Sequence, residues 1–232
     1  MIFSDELVKL NITPNQEMLS RFDLYYKKLV EVNSYMNLTA ITEESEVYNK
    51  HFLDSLMILK SDLFSGTKTL LDVGSGAGFP SIPLAIVNEN VKVTIIDALN
   101  KRINFLNDLT KHLGLTNVCA YHKRAEDYAK EKRESFDIVT ARAVARLNVL
   151  AELCLPLTKL EGYFIAMKGK MSKEEMDEAA NAINILGGKV ERVVSVNLPD
   201  EAGERDLIII KKVKSTPNKY PRQFSKIKER PL

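Results

Sequence analysis

The apolar positions of this chain change their period once. Up to about residue 65 they recur at helical spacing. Met18, Phe22, Tyr25, Tyr26, Leu29 and Val32 form one stripe, and Val47, His51, Leu53, Leu56, Met57 and Leu59 offer a second packing face over Glu43 to Lys60. Thr13-Pro14-Asn15-Gln16 predicts the start of the first long helix, with Thr13 as cap, Pro14 at the first helical position and Gln16 three residues after the cap. Asn37-Leu38-Thr39-Ala40-Ile41 connects the two helices and can carry polar groups to a site. From Thr69 onward, short apolar runs alternate with helical segments. Strands are predicted near 69–73, 92–97, 117–121, 136–140 and 161–167, and helices near 80–87, 100–113, 125–132, 144–155 and 172–186. That alternation implies a parallel sheet with right-handed crossovers. The last two strands, Lys189 to Asn197 and Asp206 to Val213, are joined only by Leu198 to Arg205, too short for a helix, so they pair antiparallel. The expected fold is α/β: a Rossmann-like, seven-stranded, mostly parallel sheet with one reversed strand. It divides into an N-terminal helical cap over residues 1–65, a sheet domain over 66–213 and a tail over 214–232.

The first predicted strand runs into a glycine turn, Asp72-Val73-Gly74-Ser75-Gly76-Ala77-Gly78-Phe79-Pro80. Glycine tolerates the dihedrals of such a turn and leaves no side chain between backbone and ligand. Pro80 suits the first turn of the following helix. The turn stands at the carboxyl end of a strand, where open α/β sheets bind ligands. Its spacing is G-x-G-x-G, with Phe79 where a dinucleotide-binding turn places its third glycine. A bulky ring fits poorly beside a pyrophosphate, and better beside an adenosine with an amino-acid tail. The next strand ends at Asp97, roughly 20 residues past the glycines, the placement for gripping ribose hydroxyls. Together these point to an S-adenosylmethionine pocket. A nicotinamide or flavin site, or a tight turn beside a surface acid, are the alternatives. Doubly wound dehydrogenases usually close on a parallel strand, so the reversed strand also favours a methyltransferase.

Composition narrows the picture a little. The 232 residues are 45% hydrophobic, enough for one sizeable domain with an appendage. A net charge of +2 argues neither for nor against nucleic acid. Cys119 and Cys154 sit in apolar surroundings without C-x-x-C spacing, as reduced core cysteines of a cytoplasmic protein would. His51, His112 and His122 lack paired helical spacing, so no metal site is expected. Met1 to Glu6 lack a signal-peptide layout, and no apolar run nears the roughly 18 residues of a membrane span. Nothing suggests an obligate dimer, and a monomer is expected. The tail is basic: Lys211, Lys212, Lys214, Lys219, Arg222, Lys226, Lys228 and Arg230 against Glu229, with Tyr220 and Phe224 interleaved. Charge among aromatics suits a backbone-tracking, base-stacking RNA segment. A solvated tail is the alternative.

The glycine stretch Leu71 to Ala85 resembles that of the glucose-inhibited division protein B family, the RsmG-type methyltransferases of the bacterial small ribosomal subunit. Asn37-Leu38-Thr39-Ala40-Ile41, His51-Phe52-Leu53-Asp54-Ser55-Leu56, Thr140-Ala141-Arg142-Ala143-Val144-Ala145 and Thr216 to Arg222 agree with it in order along nearly the whole chain. The resemblance implies a class I methyltransferase that uses S-adenosylmethionine to methylate N7 of one guanine in 16S rRNA, the G527 of the usual numbering, with rRNA or the small subunit as partner. By position, it places the donor on Gly74, Phe79, Asp97-Ala98-Leu99, Ala125-Glu126 and Arg142. The glycine geometry adds Gly76 and Gly78.

Guanine N7 has a free lone pair and no proton, so attack on the sulfonium methyl needs alignment and not a general base. No catalytic side chain is therefore assigned. The chain also lacks the D/N-P-P-Y/F motif used on exocyclic amines and a Pro-Cys for carbon methylation. Arg142, after the fourth strand, could meet guanine O6, a phosphate or the donor, or form a structural ion pair. His51 and Asp54 share a helical face and could grip rRNA or simply bond each other. Asn37 is a polar contact or a turn former. Lys168 stands at the cleft rim as a phosphate contact or a solvated lysine, Lys101 and Arg102 could reach a phosphate, and Arg222 is the tail cation expected on RNA. A methyltransferase for a small molecule or protein, and an RNA-binding assembly factor without chemistry, are the competing functions.

Overall fold

The computed structural model describes residues 3–142, 145–199 and 202–232. Ala143 and Val144 of the predicted motif, Met1 and Ile2 of the opening segment, and Asp200 and Glu201 of the last turn lie outside them. The sheet is built on β1 (Lys68–Val73), which pairs parallel with β2 (Val91–Asp97) on one side and β4 (Phe136–Arg142) on the other. β3 (Val118–His122) lies beyond β2, and β5 (Thr158–Gly169) beyond β4. β7 (Glu204–Lys212) runs antiparallel between β5 and β6 (Gly188–Asn197). The order is β3-β2-β1-β4-β5-β7-β6, with β7 the reversed strand. The chain leaves β1 in one direction and returns on its other side, so the switch point lies between β1 and β4.

Side-chain alternation along the strands makes two cores. Leu70, Ile95, Ile138, Ile165 and Leu207 face one, and Leu71, Val73, Ile96, Val139, Phe164, Ile208 and Ile210 the other. The first is covered by α2 (Gln16–Met36), α5 (Ser81–Val87) and α6 (Asn100–His112). The second is covered by α7 (Ala125–Glu131), α8 (Leu147–Cys154), α9 (Lys173–Ile185) and α10 (Phe224–Glu229). Among the described residues no helix is long and apolar enough to cross a membrane.

The N-terminal residues form α1 (Phe3–Lys9), then α2, with Phe3, Phe22, Tyr25 and Phe52 in the same core as the sheet. The start of α2 differs from expectation: Asn15 is the cap, its side chain accepting from Met18 N at 2.8 Å, and Pro14 stays outside the helix. An Asn side chain satisfies an orphan N–H of the first turn as well as Thr does. The second helical stretch is four short pieces: α3 (Glu44–Val47), a π turn over Tyr48–Leu53, α4 (Asp54–Leu56) and a 3-10 turn over Met57–Ser61.

Candidate active site

All three turn glycines have positive φ, +75° at Gly74, +63° at Gly76 and +107° at Gly78, a region that favours glycine. Backbone bonds close the turn: Gly74 N donates to Ile96 O at 2.8 Å, and Gly78 N and Phe79 N both donate to Ser75 O at 3.0 Å. The last two glycines do different work. A Cβ on Gly76 would meet nothing within 4 Å. A Cβ on Gly78 would stand 2.7 Å from Ile82 Cγ1, 2.8 Å from Tyr25 Oη and 3.0 Å from Leu106 Cδ2. Gly76 leaves space open, whereas Gly78 lets α2 and α6 close on the turn. Tyr25 fixes that approach by donating to Ala77 O at 2.6 Å. The Phe79 ring stacks on Tyr25 at 5.5 Å and on His51 at 4.5 Å, joining the cap to the glycine turn. Pro80 is the residue before α5, not its first helical residue as expected.

Asp97, at the tip of β2, is 3% exposed. Its Oδ1 accepts from Leu99 N at 2.8 Å, and its Oδ2 from Gly76 N and Arg102 Nη1, both at 3.2 Å. Arg102 is therefore committed to Asp97, and Lys101 donates to Met36 O at 3.1 Å. A cavity of about 290 Å³ opens here, lined by Val73, Gly74, Ile96, Asp97, Ala98, Lys123, Arg124, Ala125, Glu126, Leu153 and Phe224. Gly74, Asp97, Ala98, Ala125 and Glu126 thus meet at one hollow. Leu99 is exposed at the start of α6, Gly78 is turned into the protein, and Arg142 lines a different cavity.

These residues fit S-adenosylmethionine. The hollow has apolar walls for adenine and a carboxylate for a ribose diol. Gly76 faces open space, and Asp72 Oδ1 and Ser75 Oγ are buried without a hydrogen-bond partner among the described residues. Asp72 also accepts from Ser81 Oγ, and burial pushes its carboxyl up to about 8.

The second cavity, about 480 Å³, lies at the carboxyl ends of β4 and β5 and the start of β7. It is lined by Asp54, Arg142, Ala145, Met167, Lys168, Gly169, Arg205 and Leu207. Arg142 is almost wholly spent on the protein. Its Nη2 donates to Lys50 O at 2.7 Å and reaches Asp54 Oδ2 at 3.0 Å, while its Nη1 reaches Ser55 Oγ at 3.0 Å and His51 O at 3.3 Å. Asp54, 3% exposed, also pairs with Arg205 Nε at 3.1 Å. Burial lowers the Arg142 pKa, and Asp54 opposes that shift. The π turn explains the geometry, because its wider winding sets the Lys50 and His51 carbonyls where one guanidinium can cap both.

His51 and Asp54 both reach Arg142, as a shared face requires. His51 Nε2 lies 2.7 Å from Thr39 Oγ1 and Nδ1 3.1 Å from Lys50 O. Burial first, then the neighbouring Arg142, lowers the ring to about 4. The unfolded ring titrates near 6.5, so its contribution is fully present above that pH and is lost as pH falls through about 4. His51→Gln is expected to lose less of its urea midpoint than wild type between pH 7 and 4. Identical losses would remove His51 as the source.

Asn37 is the left-handed C-cap of α2 at φ 52°, with an exposed side chain, the turn-forming alternative. The organising side chain is Asn33, whose Oδ1 accepts from Leu38 N at 2.6 Å and Thr39 N at 2.8 Å. Lys168 pairs with Glu175 and donates to Ala145 O at 3.1 Å. Arg222 departs from the expectation of a free tail cation. Its Nε and Nη2 hold Glu152, a wholly buried carboxylate, at 2.8 and 2.6 Å, and its N–H donates to the same group at 2.9 Å. Lys212 is likewise buried, donating to Leu155 O and Thr216 Oγ1 at 2.5 Å and pairing with Glu134 at 3.1 Å. Three further residues belong to the site: Tyr25, core by its spacing, which holds the glycine turn; Arg205, which the β5–β7 register sets opposite Gly169; and Phe224, a tail ring expected on RNA, which lines the smaller cavity.

Solved structures share this architecture. A SAM dependent methyltransferase from Aquifex aeolicus aligns with a TM-score of 0.57 at 21% identity, covering 76% of this chain and 97% of that one. M. jannaschii TYW2 in complex with AdoMet aligns at 0.53 and 17% identity, covering 68% and 74%. Likeness at that identity speaks for the fold. It defines the fold class as Rossmann-like, a mostly parallel seven-stranded sheet with one reversed strand. Sequence comparison goes further. A family model described as rRNA small subunit methyltransferase G (GidB) matches residues 18–208. The ribosomal RNA small subunit methyltransferase G of Lactobacillus johnsonii is 51% identical over 235 residues, covering 100% of this chain and 98% of that protein. The one from Staphylococcus epidermidis is 53% identical over 230 residues, covering 99% and 96%. The chain belongs to the rRNA small subunit methyltransferase G family.

Proposed function

We propose that this protein transfers a methyl group from S-adenosylmethionine to N7 of a guanine in 16S rRNA, the G527 of the usual numbering, acting as a cytoplasmic monomer on rRNA or on the small subunit. The observation that carries the reading is the pair of cavities on one edge of the sheet. The apolar one stands at the tips of β1 and β2, and the polar one at the tips of β4 and β5, with the paired strands β1 and β4 between them.

When bound, S-adenosylmethionine supplies an electrophilic sulfonium methyl. The chain's own residues do the rest by positioning. Gly74 and Gly76 keep the backbone bare beneath the donor, Asp97 offers lone pairs to the ribose, and Ala125 and Glu126 flank the adenine. The target base enters the polar cavity. Arg142 and Asp54 hold its floor by fixing the π turn, and through it His51 and Phe79. Arg205 and Lys168 stand at the rim, where RNA phosphate arrives. N7 needs no proton removed, which agrees with a floor whose ionised groups are paired with one another.

The test is a map of N7-methylguanine in 16S rRNA from cells with and without the gene. One guanine is expected to lose its methyl group in the deletion strain and regain it with a plasmid copy. A map identical in both strains would overturn the reading.

A further inference from the structure

We propose that Phe224 is a donor-binding residue and that the C-terminal segment from Thr216 to Glu229 is a wall of the donor site, not an RNA arm. The inference rests on the donor reading of the smaller cavity and adds to it. The Phe224 ring is half-buried and lines that cavity beside Val73, Ala125 and Leu153. A half-buried ring that lines a hollow is suited to pack on a flat apolar group such as adenine.

The backbone behind the ring is fastened at several points. Phe224 N donates to Glu126 Oε1 at 3.3 Å, which ties the tail to the wall assigned to adenine. Two residues earlier, Arg222 clasps the buried Glu152 of α8. Arg133 donates to the carbonyls of Thr216, Tyr220 and Pro217 at 2.6, 2.8 and 3.1 Å. Three residues beyond the ring, Ile227 is fully buried. An arm that tracks RNA by stacking would keep its rings free. This segment spends Arg222 and Tyr220 on docking and Phe224 on the cavity, and leaves Lys219, Lys226 and Lys228 exposed. A ligand that binds only with the wall in place must also hold the wall in place.

The experiment titrates S-adenosylhomocysteine into full-length wild type, Phe224→Ala and Arg222→Ala by calorimetry, with thermal melts run alongside. Phe224→Ala is expected to weaken binding roughly tenfold or more with little change in melting, since the ring is half-exposed. Arg222→Ala is expected to weaken binding as well, because it strands the Glu152 carboxylate and loosens the wall. Trypsin cutting at the exposed Lys226 and Lys228 is expected to slow when S-adenosylhomocysteine is added to wild type. Wild-type affinity in Phe224→Ala, or weakened RNA binding there with donor affinity intact, would overturn the inference while leaving the donor reading standing. Wild type that binds no S-adenosylhomocysteine would overturn both.

Discussion

Gly74→Asp is expected to fold like wild type and to bind S-adenosylhomocysteine at least about a hundredfold more weakly. Asp is among the non-glycine residues that best tolerate the left-handed region, so φ +75° there costs little more than a kcal/mol. Binding is a different matter. Gly74 lines the smaller cavity, the proposed seat of the donor, together with Asp97 and Glu126. A third carboxylate fills volume the donor needs and must be desolvated on binding, a cost on the order of 3 kcal/mol. That corresponds to roughly a hundredfold in affinity. Calorimetry for affinity and circular dichroism for folding separate the two effects. Equal affinity in variant and wild type would mean that the donor lies elsewhere.

Gly78→Ala is expected to lose about 2–4 kcal/mol of folding stability, against about 1 kcal/mol for Gly76→Ala. The two positions share one turn and both have positive φ, but +63° at Gly76 lies in the left-handed well and +107° at Gly78 outside it, so the backbone term too is larger at Gly78. The rest of the difference lies in what a methyl group meets. At Gly78 it overlaps Ile82, Tyr25 and Leu106, two of them on helices that pack against the turn. Relief would mean breaking the Tyr25–Ala77 hydrogen bond or moving α2. At Gly76 there is open space, so that substitution should register in donor affinity more than in stability. Urea unfolding of the two variants decides the point, and a Gly76→Ala protein as unstable as Gly78→Ala would refute the division of labour.

The sheet was legible because its information is local. Alternation along each strand, glycine where φ turns positive and an eight-residue gap too short for a helix all sit within neighbouring positions. The glycine turn and the place of Asp97 beside it could be read for the same reason. Three things could not. Over the six residues of the π turn, spacings of three and four do not distinguish a π from an α winding, so the carbonyls that Arg142 caps were invisible. A count of charges along the tail treats every cation as solvated. Glu152 and Glu134, which pair with Arg222 and Lys212, come from distant segments. Phe224 carried no local mark separating a ring that stacks on a base of RNA from one that closes a pocket. Its place in the smaller cavity and the backbone bond to Glu126 exist only in the fold.

The wide winding over Tyr48–Leu53 also makes the site depend on how many residues the chain contains there, and not only on which ones. A π turn holds one more residue than an α turn in nearly the same rise. Deleting a single residue between Tyr48 and Leu53 would let the segment relax into ordinary α-helix with every backbone bond satisfied. Both flanks would keep their phase, because the extra residue is taken up within the wide turn itself, and Val47 would stay in the interior. What would go is the widening that sets the Lys50 and His51 carbonyls before Arg142. A one-residue deletion there would yield a helix as regular as any in the molecule, beside a cleft whose floor had lost its latch.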